Sequence, residues 1–477
     1  MRTLPVRNPR TGQNDYEMTV HDGDAIAVVA ERLRDAQVAW RDAGVAARVG
    51  VLQRFAEALQ AHRADIVAAL SADTGRVVLA HTEVDGVIGG IHRWCGMAPG
   101  LITEDRAALE RMPGVDIARA VDPYPLLGAI SPWNFPLLLS FIDATPALLA
   151  GCAVIIKPSE VTPRFAEPVA AAIAEVPELA QVLAFVTGDG STGAALIPEV
   201  DVVAFTGSVD TGRKVGVAAA DAFIPAFLEL GGKDAAIVLE GSDVERAATA
   251  VLRASVGATG QACQSIERVY VHTSLHDVFV SRLAELADAV PLSYPDAGQG
   301  VLGPIIFEHQ ASLIRGHLED AVAKGATVHS GGSIEALGGG LWLRPTVLSG
   351  VSHDMAIMRD ETFGPVMPVM AFESEAQAIA LANDSLFGLS AAVFGPDEAT
   401  ALRVGDALQA GGISINDAGL TTMISEAEKS AYRCSGIGPS RMGADGLTRF
   451  FRRRAYYINA GPVLPIAAYA EGQRQGD

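Results

Sequence analysis

From about Ala25 to Leu70, apolar residues recur at three- and four-residue steps: Trp40, Val51, Leu52, Phe55, Leu59, Ile66 and Leu70. That spacing sets them on one helical face and predicts a helical N-terminal region. Further on the rhythm changes. Leu126–Ile130, Ala153–Ile156, Leu183–Val186 and Val202–Phe205 are short continuous apolar runs, each followed by a turn and a helical stretch. The run Leu137–Ile142, between Pro136 and Asp143, reads as the start of a buried helix, and a second helix is expected from about Arg164 to Ala174. Strands that are apolar throughout and alternate with helices imply parallel βαβ units, doubly wound, with ligands at the carboxyl ends of the strands. A second α/β region is expected from Gly231 to Ala431, with strands at Ala235–Leu239, Arg268–His272 and Leu389–Phe394. Residues from about Ala107 to Asp122 suit a hairpin, and the tail from Arg454 to Pro465 suits a late strand.

Composition narrows the function. The chain has 477 residues, enough for about two to four domains. Its net charge of −20 repels phosphate backbones and anionic lipids, which argues against nucleic-acid and membrane partners. An anionic cofactor would therefore need a local cation. Cys95, Cys152, Cys263 and Cys434 are widely scattered, so neither a disulfide framework nor a metal site is indicated, and a reducing cytoplasm is expected. The first residues lack the apolar core of a signal peptide, and no apolar stretch is long enough for a membrane span.

Several short segments carry candidate chemistry, each with a plainer alternative. Gly188-Asp189-Gly190-Ser191-Thr192-Gly193 follows a strand and opens a helix, the context of a dinucleotide fingerprint; the alternative is an ordinary glycine-rich turn. Phe205-Thr206-Gly207-Ser208 either offers free amides to a pyrophosphate or simply caps a helix. Lys157-Pro158-Ser159-Glu160 supplies a cation and a carboxylate able to hold a ribose diol, or else is a solvated turn. Cys263 lies in Gly260-Gln261-Ala262-Cys263-Gln264-Ser265, where small and polar neighbours suit a nucleophile better than inert packing. Glu229, before Leu230-Gly231-Gly232-Lys233, is either a general base or a surface turn residue. In Pro132-Trp133-Asn134-Phe135-Pro136 two prolines stiffen a loop that either aims the Asn134 amide at an oxyanion or uses Asn134 as a cap.

Taken in order, these segments, with Glu361-Thr362-Phe363-Gly364-Pro365 and Asn416 after Gly411-Gly412-Ile413, resemble the aldehyde dehydrogenase superfamily over nearly the whole chain. The resemblance implies an α/β fold with three parts. Residues 1–106 and 123–230 would form a Rossmann-like cofactor domain, 231–431 a catalytic domain, and 107–122 with 452–477 the oligomerisation elements of a homodimer or homotetramer. It implies Cys263 as nucleophile, Glu229 as base, and an oxyanion hole from Asn134 and the Cys263 amide. It implies an NAD site (NADP being the alternative) formed by Ile130, Trp133, Lys157, Ser159, Glu160, Gly190, Gly193, Phe205, Gly207, Ser208, Leu230, Glu361 and Phe363. Leu139, Ile142, Gln264 and Ile266, with Trp133, would wall an apolar tunnel for an aromatic or medium aliphatic aldehyde, with Arg433 or Arg268 as the cations able to clamp a second acid group. The rival readings are an enzyme passing its acyl group to coenzyme A and a non-catalytic binding protein on the same fold. Two departures from the family pattern stand out: Asp143 where a Lys is usual, and Lys429-Ser430-Ala431-Tyr432-Arg433-Cys434 in place of the usual PFGG-like loop.

Overall fold

The computed structural model describes residues 2–103 and 105–469. Two large sheets organise them. The first has the strand order Gly436–Ile437, Ala226–Glu229, Val202–Thr206, Leu126–Ile130, Ala153–Lys157 and Leu183–Phe185, all parallel except the first. Leu126, Leu127, Val154, Ile155, Val202 and Val203 have essentially no accessible surface, because helices cover both faces. Strand order reverses on either side of Leu126–Ile130, so a crevice opens at its carboxyl end. The second sheet runs Thr327–Ser330, Thr346–Ser349, Val366–Phe372, Ile266–His272, Asp234–Val238, Ser390–Phe394 and Gly412–Ile415, parallel but for its first strand.

The helical N-terminal region is four helices: Gly23–Asp42, Gly44–Ala61, Arg63–Thr74 and Val77–Leu101. The seven periodic apolar residues are all buried. An antiparallel pair, Thr3–Arg7 with Asn14–Thr19, precedes them and was not foreseen, since its side chains are mostly exposed and carry no apolar run. The expected hairpin is present as Asp105–Ala108 and Val115–Pro123, and Phe451–Asn459 pairs along the whole of its second strand. The strand Gly436–Ile437 joins the first sheet beside Ala226–Glu229. After the second sheet the chain thus returns to the first before reaching the outlying three-stranded sheet. The last eight residues of the 452–477 element lie outside the described residues. Among the described residues no helix is long and apolar enough to cross a membrane.

Candidate active site

Cys263 sits just ahead of the strand Ile266–His272, after three consecutive residues in the left-handed region: Ala258 at φ 54°, Thr259 at 61° and Gly260 at 68°. For Ala and Thr that conformation costs about 1–2 kcal/mol each, and it persists only where neighbours enforce it. Here Arg76 donates to the Ala258 carbonyl at 3.3 Å, and the Gly303 amide donates to the Thr259 hydroxyl at 3.0 Å. Gly260 cannot carry a side chain, since a Cβ there would stand 2.2 Å from the backbone of Gly364. Gly232 is equally constrained: its Cβ would lie 2.3 Å from the Cys263 carbonyl oxygen. The Gly pair after Glu229 thus lets that loop lie directly against the cysteine.

Asn134 is buried, and its side-chain Nδ2 donates to the Gln261 carbonyl at 2.9 Å, two residues from Cys263. Gln261 is itself fixed, donating to the Pro304 carbonyl and accepting from the Ile306 amide. Asn134 does not cap the helix Pro136–Ala150. That work falls to Glu83, whose Oε2 accepts the Leu137 and Leu138 amides at 3.0 Å each. Burial pushes Glu83 up to about 7, against those two bonds and the Arg76 charge. Arg76 also donates to the Asn134 carbonyl and lies 5.2 Å over the Phe135 ring, tying this loop to the strained turn before Cys263.

Glu229 ends its strand beside Thr206 on one side and Gly436 on the other, partly accessible. Its charge bears on Cys263. Burial pushes the thiol up to about 12, Glu229 adds to the rise, and Arg441 opposes it. Arg441 is buried, donates to the Thr206 hydroxyl at 2.7 Å and pairs with Asp143 at 3.0 Å; Arg449 pairs with the other Asp143 oxygen. At the residue that follows the cysteine, Gln264 Oε1 accepts from Lys429 Nζ at 2.8 Å.

Most of the cofactor candidates converge at the carboxyl end of the first sheet. A Cβ on Gly193 would stand 3.8 Å from Ile130 and 3.9 Å from Lys157, so glycine leaves a shallow cradle there. Lys157 is buried and pairs with the half-exposed Glu160 at 3.3 Å, with Ser159 between them. Phe205 is the last residue but one of the neighbouring strand Val202–Thr206, and Leu230 is buried with its amide bonded to the Ser435 carbonyl at 2.8 Å. Trp133 and Phe363 meet edge to face, ring centres 5.3 Å apart. Glu361 accepts the Gly232 amide at 3.0 Å, and burial raises its pKa well above the carboxylate range, reinforced by the nearby Glu267 charge. Glu267 in turn accepts the Thr362 and Phe363 amides at 2.7 Å each and pairs with Lys233 at 2.8 Å, both side chains buried.

Several expectations change. The fingerprint turn is already filled with negative charge: Asp189 caps its helix by accepting the Ser191 amide and hydroxyl and pairs with Arg2, and these bonds hold its pKa down to about 2. A pyrophosphate there would meet a carboxylate, and Gly190 stands exposed with nothing near its missing side chain. In the next turn the Gly207 amide is spent on the Glu229 carbonyl, and Ser208 caps its helix through the Thr211 amide. Ile266 packs in the buried core of the second sheet with Val269 and Ala418 and does not wall a tunnel. Arg268 spends its guanidinium on the Lys233 and Ala382 carbonyls and Tyr270, and Arg433 on the Asn383 and Ser385 carbonyls, so neither is free to clamp a substrate. Leu139 and Ile142 keep accessible surface three residues apart on their helix, and Gln264 stays beside Cys263.

Residues 1–456 match the profile described as the aldehyde dehydrogenase family. The chain belongs to that family. Among curated aldehyde dehydrogenase relatives, the 3,6-anhydro-alpha-L-galactose dehydrogenase of Streptomyces coelicolor is 35% identical over 470 residues, covering 96% of this chain and 93% of its own. The PutA structure from Anabaena variabilis, assigned to the aldehyde dehydrogenases, superimposes with a TM-score of 0.96 at 50% identity, covering 97% and 99% of the two chains. Betaine aldehyde dehydrogenase from Staphylococcus aureus, solved in complex with NAD+, gives 0.90 at 28% identity, covering 97% and 92%.

Within this aldehyde dehydrogenase the sequence reading missed Arg76, Glu83, Glu267 and Arg441. Lys233 was the one available hint, since a Lys after two glycines in an apolar stretch has to find a buried partner.

Proposed function

We propose that this enzyme oxidises an aldehyde to a carboxylic acid with NAD or NADP through a thioester on Cys263, hydrolysed by water that Glu229 activates. Two observations support this reading: the Asn134 side-chain amide is held on the Gln261 carbonyl, two residues before Cys263, and the charge of Glu229 bears on the Cys263 thiol. Cys263 Sγ, as thiolate, attacks the aldehyde carbon. The oxygen, now negative, lies toward the Asn134 side-chain amide and the Cys263 backbone N–H, donors set before reaction begins. When bound, the nicotinamide would accept the hydride whose departure leaves the thioester. Glu229 then takes a proton from water as it attacks the thioester carbon, and the thiolate leaves.

The residues present fit such a cofactor. The Gly193 cradle lies beside Ile130 and Lys157, Glu160 is placed to receive a ribose diol, and Glu361 with Phe363 stands on the loop against Cys263. A carboxylate at Glu160 repels a 2′-phosphate, which favours NAD. Leu139, Ile142 and Trp133 would receive the apolar body of the aldehyde. The strand Phe451–Asn459, with Tyr456 and Tyr457 exposed, would join a second copy in a homo-oligomer, which sedimentation velocity measures. A reducing cytoplasm remains the setting that four free cysteines suit.

An aldehyde panel run with NAD and with NADP, read by absorbance of the reduced cofactor with the acid assayed with and without coenzyme A, tests the whole reading. Acid formed without coenzyme A is the expected product. A Cys263→Ala variant that still reduces cofactor at the normal rate overturns the mechanism.

A further inference from the structure

The cations around the active site are nearly all committed. Arg441 and Arg449 face Asp143, Lys233 faces Glu267, and Lys157 faces Glu160. Arg76 is buried and donates to the Ala258 and Asn134 carbonyls, whereas Lys429 is partly accessible. Its Nζ donates to two neutral acceptors, Gln264 Oε1 at 2.8 Å and the Thr421 carbonyl at 2.7 Å, and among the described residues it has no carboxylate at ion-pair distance. An ammonium has three donors, so one remains. The position is also built to take this stem: a Cβ on Gly412 would press on the Lys429 Cδ at 3.2 Å and on Thr421 at 2.7 Å. Gln264 directly follows Cys263, which puts the spare charge one residue from the nucleophile.

We infer that Lys429 is the recognition point for a substrate carboxylate, so that the aldehyde this enzyme oxidises carries an acid group at its other end. The inference rests on the aldehyde-oxidising reading above and supplies its substrate class, an oxo-carboxylate. Three physical arguments support it. A partly desolvated charge without a counter-ion is costly, and an anionic substrate removes that cost. An acidic protein repels an anionic substrate everywhere except at a local cation. The segment that carries Lys429 is one of the two departures from the family pattern, so this cation is not one the resemblance already accounts for. Burial already pulls the Lys429 pKa below the ordinary lysine value, while the more distant charges of Cys263, Glu229 and Asp234 pull it back up and Arg441 lowers it. The apolar surfaces of Leu139 and Ile142 remain available to the carbon chain between the two functional groups.

The test is kcat/KM for two matched pairs, 4-oxobutanoate against butanal and 4-carboxybenzaldehyde against benzaldehyde, in the wild type, K429M and K429R. The wild type is expected to prefer the acid in at least one pair. In K429M the acid-to-neutral ratio should fall by about ten- to a hundredfold, the worth of a charge-assisted hydrogen bond, and mainly through KM. K429R, which keeps the charge, should recover much of the ratio. A wild type that prefers the neutral aldehyde in both pairs, or a ratio that K429M leaves unmoved, overturns the inference while aldehyde oxidation stands. No cofactor reduction by the wild type with any of the four overturns the oxidation reading itself.

Discussion

Replacing Glu229 with Gln separates two jobs that a carboxylate beside a cysteine can do. With the Cys263 thiol pushed up to about 12, only about one thiol in ten thousand is ionised at pH 8. Glu229 contributes to that suppression as a negative charge next to a nascent thiolate. Removing a like charge at close range lowers such a pKa by about one, so the thiolate population should rise about tenfold. Glu229→Gln should therefore react faster with iodoacetamide than the wild type while losing steady-state turnover.

The assay is the rate of inactivation by iodoacetamide between pH 7 and 10, without cofactor. The sign follows from the raised pKa: ionisation increases with pH, so both proteins should gain about tenfold per pH unit with no plateau in this range, the variant lying about tenfold above the wild type. A single-turnover experiment should add a burst of reduced cofactor followed by slow release of acid, because the thioester forms and water is no longer activated. Slower alkylation in Glu229→Gln would refute the reasoning, since it would mean that the carboxylate removes the thiol proton and is not reserved for water.

Three further outcomes follow from the charged residues around the site. Asp143→Asn leaves two buried guanidinium groups without their carboxylate and should cost about 3–5 kcal/mol, seen as a lower midpoint in urea, whereas Arg441→Met leaves the Asp143–Arg449 pair intact and should cost less while slowing Cys263 alkylation. Glu267→Gln strips Lys233 of its counter-charge and weakens the bonds to the Thr362 and Phe363 amides; KM for NAD should rise about tenfold, with KM for the aldehyde far less affected. Glu160→Ala should raise the kcat/KM ratio of NADP to NAD by about tenfold, through loss of the carboxylate that repels a 2′-phosphate.

What could be read from the sequence was whatever local pattern determines. Ala153–Ile156 announces a buried strand because it is covered on both faces and has no polar position to lose. Asn134, Glu229 and Cys263 stood out as candidates because each lies beside glycines or prolines that mark a turn, whereas Glu361 was singled out only through the resemblance to the family. The Thr3–Arg7 hairpin was not, because strands that are mostly exposed carry neither an apolar run nor a helical period. The fingerprint at Gly188–Gly193 misled for a chemical reason. Its spacing fits a phosphate cradle, but its second residue is an aspartate, and once that side chain caps the helix the positive end of the dipole is taken. Arg76 was invisible because its function is defined by Asn134 and Ala258, 58 and 182 residues away, and nothing near it in the chain hints at either.

Asp143 shows how far such long-range pairing can mislead a reading by position. A carboxylate where the family resemblance leads one to expect a lysine looks like the loss of a cation from the helix Pro136–Ala150. In the fold it does the reverse. Asp143 draws in Arg441 from 298 residues further along the chain, and Arg441 reaches on to the Thr206 hydroxyl. Thr206 is the strand neighbour of Glu229. The positive charge is therefore supplied from the C-terminal side of the chain and held in place by the residue that seemed to remove it. Arg449, on the second Asp143 oxygen, lets a single buried carboxylate keep two guanidinium groups in the interior. Only Arg441 bears on Cys263, and it does so as the main opponent of the burial and the Glu229 charge that hold the thiol protonated. The reactivity of the nucleophile thus depends on Arg441 working against burial and the charges of Glu229, Asp234 and Glu361, and that guanidinium is held in place by Asp143.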